Sequence, residues 1–193
     1  MTQFAPLKRA FDIAVSLALI PIALPLSLLA MGAIRLESAG SPLFVQTRVG
    51  RGRKPFRLYK LRTMATATGD LPSHAVNPMQ ITRVGGFLRR TKLDELPQLL
   101  NVLGGSMSLV GPRPCLPSQT ELISERDARG LYAVRPGVTG PAQIAGVDMS
   151  DPHLLARTEA DYYPRATFAA DLAILVRTFT GAGRGDAAVT KQR

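Results

Sequence analysis

The 193-residue chain has no tryptophan, a single cysteine, and aromatic side chains at only 6% of positions. One cysteine excludes an internal disulfide and argues against a cysteine-built metal centre. Cys115 reads as a small packing residue. The shortage of aromatics leaves no obvious platform for stacking bases. No helix-turn-helix, zinc-finger or RNP pattern is present either, so nucleic acid is not an expected partner. Low-complexity tracts and internal repeats are absent. Acidic residues are also in short supply, with 14 Asp and Glu against 24 Lys and Arg, a formal net charge of +10. That excess implies an anionic partner such as a phosphorylated substrate or anionic membrane lipid.

Charge is missing altogether from Ile13 to Ile34. A straight helix of that length covers roughly 33 Å, against a hydrocarbon core of ~30 Å. Three readings compete. A cleaved signal peptide fits the basic Lys8-Arg9 start, but the apolar run is long and the small-residue cleavage pattern poor. A simple spanning helix fits the length. A re-entrant helix-break-helix also accounts for Pro21 and Pro25 in the middle of the run, since proline inside a helix removes a hydrogen bond and kinks it. It accounts as well for basic residues on both flanks: Lys8 and Arg9 before, then Arg35, Arg48, Arg51, Arg53 and Lys54 after. The positive-inside bias places both flanks in the cytoplasm.

The chemistry concentrates between Arg83 and Pro114, RVGGFLRRTKLDELPQLLNVLGGSMSLVGPRP. Asp94 and Glu95 are adjacent, with Arg89, Arg90 and Lys92 just before them and Arg113 downstream between two prolines. Leu93, Leu96, Leu99, Leu100 and Leu103 recur at roughly helical spacing. The expectation is an amphipathic helix with Thr91 as N-cap and the acidic pair in its first turn, where the dipole favours anions. Gly104-Gly105 ends it. Carboxylates crowded by cations, beside a rigid arginine, suggest a metal and phosphate site. The plainer reading is that the pair only favours a helix N-terminus.

Elsewhere, alternation around Phe56, Leu58 and Lys60 predicts a strand or hairpin. Its cations Arg48, Lys60 and Arg62 either face phosphates or form a solvated basic surface. Residues 65–78 read as a loop, with His74 a solvated residue rather than a ligand. Ser118 to Ala133 reads as a helix whose charges, Glu121, Glu125, Arg126, Asp127 and Arg129, form a solvated face. Arg135 to Gln143 (RPGVTGPAQ) is a turn-rich loop whose glycines permit close backbone approach. Arg135 and Gln143 can contact phosphate or base, or the loop is a rigid connector. Two helices follow, Leu154 to Tyr163 and Thr167 to Thr178. The second carries an isolated Asp171, suited either to an ion pair or to the site.

The block RRTKLDELPQLLNVLGGSMSLVGPRP resembles the core of the bacterial sugar transferases, the monotopic polyprenyl-phosphate phosphoglycosyl transferases. Phe56 to Met64 is similar to that family's F-x-x-Y/F-K-F/L-R-S/T-M block, and Arg135 to Gln143 to its R-P-G-x-T-G-x-x-Q block. Tyr162 to Thr178 resembles its D-L-x-I-L-x-x-T ending, and the resemblance runs from about Lys8 to Thr178. The chain departs from the pattern at Leu24, Lys92, Ser106 and Val147.

The resemblance implies a mostly helical α+β fold in the small form of the family. Residues 1–36 would be a re-entrant membrane element broken at Pro25, 37–180 a compact cytosolic catalytic domain with short strands and interfacial helices, and 181–193 a flexible tail. It implies transfer of a phosphosugar from a nucleotide diphosphate sugar to polyprenol phosphate, with Mg²⁺ as cofactor and Asp94 and Glu95 as catalytic and metal-binding residues. Asp94 would be the nucleophile. Lys60, Arg62, Arg89, Arg113, Arg135, Gln143 and Asp171 would bind phosphate or substrate. The implied location is the cytoplasmic face of a bacterial inner membrane, with anionic lipids as further partners and the oligomeric state open, a homodimer included. Two other classes remain open: a non-catalytic, membrane-bound basic scaffold, and a Mg²⁺-dependent hydrolase of lipid diphosphates.

Overall fold

The computed structural model describes residues 5–65 and 80–181. The expected loop around His74 and the expected tail beyond residue 181 lie outside the described residues.

The uncharged run folds as one long helix, α1 (Ala5–Glu37), with Pro21 and Pro25 inside it. The helix is continuous through both prolines, so the break expected at Pro25 is not distinctly present. Both prolines are exposed, on the side away from the rest of the protein. The helix is long and apolar enough to cross a membrane, which is consistent with membrane association. One stripe of it is covered. Phe11, Val15, Leu19 and Ala23 pack on Leu58, Leu99, Val102, Met107 and Leu109. Further along, Ile34 joins Leu61 and Leu88. These positions recur at close to the helical period, so they line one face. Away from that stripe Leu17, Leu24, Leu28 and Leu29 are exposed, between 55% and 73%. So much uncovered leucine on one element marks an interaction surface rather than ordinary scatter.

Polar contacts fix both ends of α1 to the same body. Near its start Lys8 donates to Asp171 at 2.5 Å, and the backbone N–H of Leu109 donates to Asp12 at 3.1 Å. Arg9 donates to the carbonyls of Val102 and Leu103. At its end Glu37 accepts from the N–H groups of Arg83 and Val84. Arg62 donates to the carbonyls of Ser38 and Ala39.

The expected hairpin is present: β1 (Leu43–Val49) pairs antiparallel with β2 (Pro55–Leu61) through a tight turn at Arg51–Arg53. The central segment differs from its expected form. α2 (Arg83–Thr91) stops where the acidic helix was expected to begin, and Thr91 closes it rather than capping the next. Its hydroxyl donates back to the carbonyls of Phe87 and Leu88. Lys92 then adopts a left-handed conformation with φ 58°. Leu93–Glu95 form a single 3-10 turn, and α3 (Gln98–Leu103) follows. Arg9 sits on the last carbonyls of α3, where the helix dipole favours a cation. Asn101 of α3 pairs with both Tyr59 N–H and Arg57 C=O, docking the helix on the β2 edge as a neighbouring strand would.

β3 (Ser108–Val110) and β4 (Gly137–Thr139) form a short parallel pair. The two chains cross so closely that a Cβ on Gly111 would lie 2.3 Å from the Arg135 carbonyl. Any side chain there would force the strands apart. α4 (Thr120–Ala128), α5 (Pro141–Ile144), α6 (Pro152–Tyr162) and α7 (Phe168–Phe179) complete the body. On α4 the sequence expectation needs one correction. Arg126 is not part of a solvated face: it is 2% exposed and packs inward.

Candidate active site

Asp94 and Glu95 belong to the 3-10 turn set up by the left-handed Lys92. Side chains on successive residues of such a turn diverge by about 120°. The two carboxylates share Lys60 at unequal distances, and Arg113 pairs with Glu95. Glu95 accepts from Lys60 of β2 at 2.8 Å and from Arg113 at 3.3 Å. Asp94, 7% exposed, has the Lys60 ammonium 3.9 Å away. Burial alone would push the Glu95 carboxyl upward. Lys60 and Arg113, with Lys92 further off, outweigh it and hold the group down at about 2. Glu95 is thus an anion at neutral pH that holds two cations in place.

A cavity of about 640 Å³ opens over this cluster. Its polar wall includes Asp94, Glu95, Arg48, Arg89, Lys92 and Arg113. Its apolar wall includes Val15, Leu19, Ile22 and Leu26 of α1 with Leu175 and Phe179 of α7. Arg89 is steered by Thr63, whose hydroxyl accepts from its Nε at 2.9 Å. Its buried Nη1 has no hydrogen-bond partner among the described residues. A buried guanidinium N–H without an acceptor is costly, so an anion arriving in the cavity finds a ready donor. Gln143 lines the same cavity and braces its loop by donating to the Val138 carbonyl at 3.0 Å.

Asp94, Glu95, Lys60, Arg89, Arg113 and Gln143 therefore come together. Arg62, Arg135 and Asp171 are placed elsewhere. Arg62 binds the carbonyls that follow α1. Arg135 donates to the Gly105 carbonyl at 2.9 Å, and partial burial, then Arg9 and Arg51, lower its pKa. Asp171 joins Lys8 of α1 to Tyr162, whose hydroxyl donates to it at 2.8 Å. Burial first, and then the Asp171 carboxylate, raise the Tyr162 pKa.

Arg48, expected either to face phosphates or to lie on a solvated basic surface, lines the cavity and donates to the Pro114 carbonyl at 3.0 Å. Asp12, not singled out in the sequence, joins α1 to β3. An acidic residue at the edge of an uncharged run was the available signal for Asp12. For Arg126, lost in a run of charges, there was none.

Among the described residues no group of three or more His, Cys, Asp or Glu is arranged to hold a metal. The carboxylates present, Asp94 and Glu95, are of the number and type that a Mg²⁺ ion would take if water and substrate phosphate completed its shell.

The sequence matches the family described as bacterial sugar transferase over residues 3–184. It is 41% identical over 182 residues to a UDP-glucose:undecaprenyl-phosphate glucose-1-phosphate transferase of Caulobacter vibrioides, covering 89% of this chain and 67% of that protein. It is 43% identical over 176 residues to the exopolysaccharide production protein PSS of Rhizobium leguminosarum bv. phaseoli, covering 86% and 84%. A UDP-N-acetylgalactosamine-undecaprenyl-phosphate N-acetylgalactosaminephosphotransferase of Aeromonas hydrophila is 36% identical over 183 residues; the chain spans only 42% of its length. With nearly its whole length matched, and with the acidic pair, its cations and an apolar helix wall meeting in one cavity, the chain belongs to the bacterial sugar transferase family and is an enzyme of that phosphoglycosyl transferase type.

Proposed function

We propose that this enzyme transfers a phosphosugar from a UDP-sugar to polyprenol phosphate, starting the assembly of a glycan such as an exopolysaccharide. The observation that carries the reading is the two-sided cavity. Its cationic wall suits a diphosphate, and its apolar wall, built from the membrane-suited α1 and from α7, suits a prenyl chain that ends in phosphate. The donors and acceptors named for the relatives have the same two chemistries.

In the first step an Asp94 oxygen attacks the sugar-bearing β-phosphorus. The bond from that phosphorus to the bridging oxygen breaks, and the nucleoside monophosphate leaves with the electron pair. The phosphosugar is then held as an acyl phosphate on Asp94. In the second step an oxygen of polyprenol phosphate attacks the same phosphorus. The bond to Asp94 breaks, the carboxylate is regenerated, and polyprenyl diphosphosugar leaves. Arg113 and Arg89 bind phosphate oxygens, and Lys60, 3.9 Å from Asp94, offsets the repulsion between anions. Glu95 keeps Lys60 and Arg113 aimed into the site. Asp94 and Glu95 would hold Mg²⁺ together with the diphosphate, and the ion would neutralise charge on the phosphates.

UMP release from UDP-sugars, measured with and without undecaprenyl phosphate, tests the reaction. Release that requires the acceptor is the expected result. Release without acceptor marks a hydrolase. No release with any UDP-sugar, while anionic vesicles are still bound, marks a scaffold.

The topology belongs to the same proposal. Residues 1–36 would enter and leave the membrane on one side, by a bend at Pro25 that the continuous α1 would acquire there, and residues 37–180 would form the catalytic domain on the cytoplasmic face. Support comes from the contacts of α1: Lys8, Arg9 and Asp12 at one end and Ile34 and Glu37 at the other hold the same body. A helix that crossed once would place those ends on opposite sides. Arg35, Arg51 and Lys54 are exposed and available to anionic headgroups, at ~1 kcal/mol per residue near the surface. Cysteines introduced as Gln3→Cys and Ser41→Cys are expected to escape a membrane-impermeant reagent in intact cells and to react together after permeabilisation. Labelling of either one from the periplasm defeats the topology.

A further inference from the structure

Arg113 lies in a loop whose backbone is held at every step. Its flanking prolines fix φ on both sides and carry no N–H of their own. Four successive carbonyls each accept a hydrogen bond. Pro112 accepts from Gly137 N–H at 2.9 Å, and Cys115 from Val49 N–H at 3.0 Å. Pro114 accepts from Arg48 Nη1 at 3.0 Å, and Arg113 itself from Arg126 Nη1 at 2.8 Å. Three of these donors belong to the β-strands or to a residue on them. The fourth, Arg126, comes from α4.

Arg126 is 2% exposed and Glu159 of α6 is 1% exposed. Glu159 takes one edge of the guanidinium through two nitrogens, Nε at 2.8 Å and Nη2 at 2.7 Å. A planar fork held on two of its nitrogens has no rotational freedom left, so Nη1 points in one direction only. That direction is the Arg113 carbonyl. Neither member of the pair lines the cavity. Burying two charges costs several kcal/mol per ion, and well-packed apolar residues often serve stability as well or better. Stability alone is therefore a weak reason for an ion pair in this position.

We propose that Arg126, oriented by Glu159, is a positioning residue. It fixes the backbone of Arg113 so that the Arg113 guanidinium meets both Glu95 and an incoming phosphate. The proposal rests on the phosphate-binding role given to Arg113 above. It separates the chain's charges into two layers: Arg113 touches the ligand, and Arg126 acts only through Arg113.

A binding cycle in the full-length, detergent- or nanodisc-embedded protein tests it, with UDP as the probe and Mg²⁺ held constant. The pair is replaced by apolar groups of similar volume, Arg126→Met with Glu159→Leu, in the wild-type background and in Arg113→Ala. Thermal unfolding checks that the fold survives. In the wild-type background UDP affinity is expected to fall about tenfold, within the coupling range of contacting residues. In the Arg113→Ala background the same replacement is expected to change nothing further. Equal losses in both backgrounds mean a general structural role and overturn the proposal, as does no loss in either. If the double replacement does not fold, Arg126→Lys runs the same cycle: it keeps a charge opposite Glu159 but offers one nitrogen where three were used. Failure of the wild type to bind UDP overturns the functional reading beneath, which is a different result from additive losses in a protein that binds.

Discussion

Asp94→Asn is expected to lower turnover by about 10³-fold or more while the protein folds and enters membranes as before. Covalent catalysis divides one hard displacement into two easier ones, and it fails when the attacking group is lost. An amide is nearly the size of a carboxylate, so the 3-10 turn at Leu93–Glu95 has no steric reason to change. The ion pairs that organise the site are made mainly by Glu95, which accepts from both Lys60 and Arg113, so the cations keep their anchor in the variant. The wild type should show ping-pong kinetics. Incubated with donor alone, it should hold a phosphosugar adduct. Trypsin cleaves after Lys92 and is blocked at Arg113-Pro114, so a single peptide beginning at Leu93 carries both carboxylates. Fragmentation of that peptide must separate Asp94 from Glu95. If the two carboxylates only favoured a helix N-terminus, worth roughly 0.3–1 kcal/mol, Asp94→Asn would retain most of its activity. Substantial transferase activity in the variant, or an adduct on another residue, removes Asp94 as the nucleophile.

Arg113→Lys is expected to cost about 10²-fold in turnover, with thermal stability close to wild type. The side chain is partly buried, and its Nη1 lies 3.3 Å from Glu95. A lysine there supplies the charge but not the planar fork, and a fork is what holds a phosphate by two oxygens at once. The backbone of the loop is indifferent to the exchange, because its carbonyls are bound by Gly137, Arg126, Arg48 and Val49. Loss of activity in this variant therefore reports on the guanidinium rather than on the loop. Near-normal turnover in Arg113→Lys would show that charge alone suffices and would remove the phosphate clamp from the mechanism.

Both expectations come from residues that the linear sequence already displayed. Asp94-Glu95 among cations and Arg113 between two prolines are local patterns, legible because the chemistry that needs them needs them close together. The long apolar helix was legible too, since hydrophobic length is a one-dimensional property, and so was the hairpin, through alternation of side chains. What local pattern could not supply was the break between α2 and α3. Leucine spacing across residues 93–103 suits one helix, but the left-handed Lys92 divides the segment and sets Asp94 and Glu95 in a 3-10 turn beside Lys60. The turn is closed by local backbone bonds, Lys92 N–H to Arg89 C=O and Glu95 N–H to Lys92 C=O, and tied to Lys60 and Arg113 by the Glu95 side chain, none of which leucine spacing records.

The sequence by itself determined the family, the acidic pair, the arginine between two prolines and the apolar helix, each carried by neighbouring residues. Only the tertiary structure decided which of the scattered charges serve the site. Lys60 reaches Glu95 across 35 positions of chain, while Arg62, two residues away, faces the end of α1 instead. Arg126 reads as one more surface charge in α4, yet it is buried against Glu159, 33 positions later, and holds the Arg113 carbonyl. The physical reason is the cost of burial. A charge can leave water only where a partner waits for it, and that partner is set by how the elements pack, not by the residues on either side.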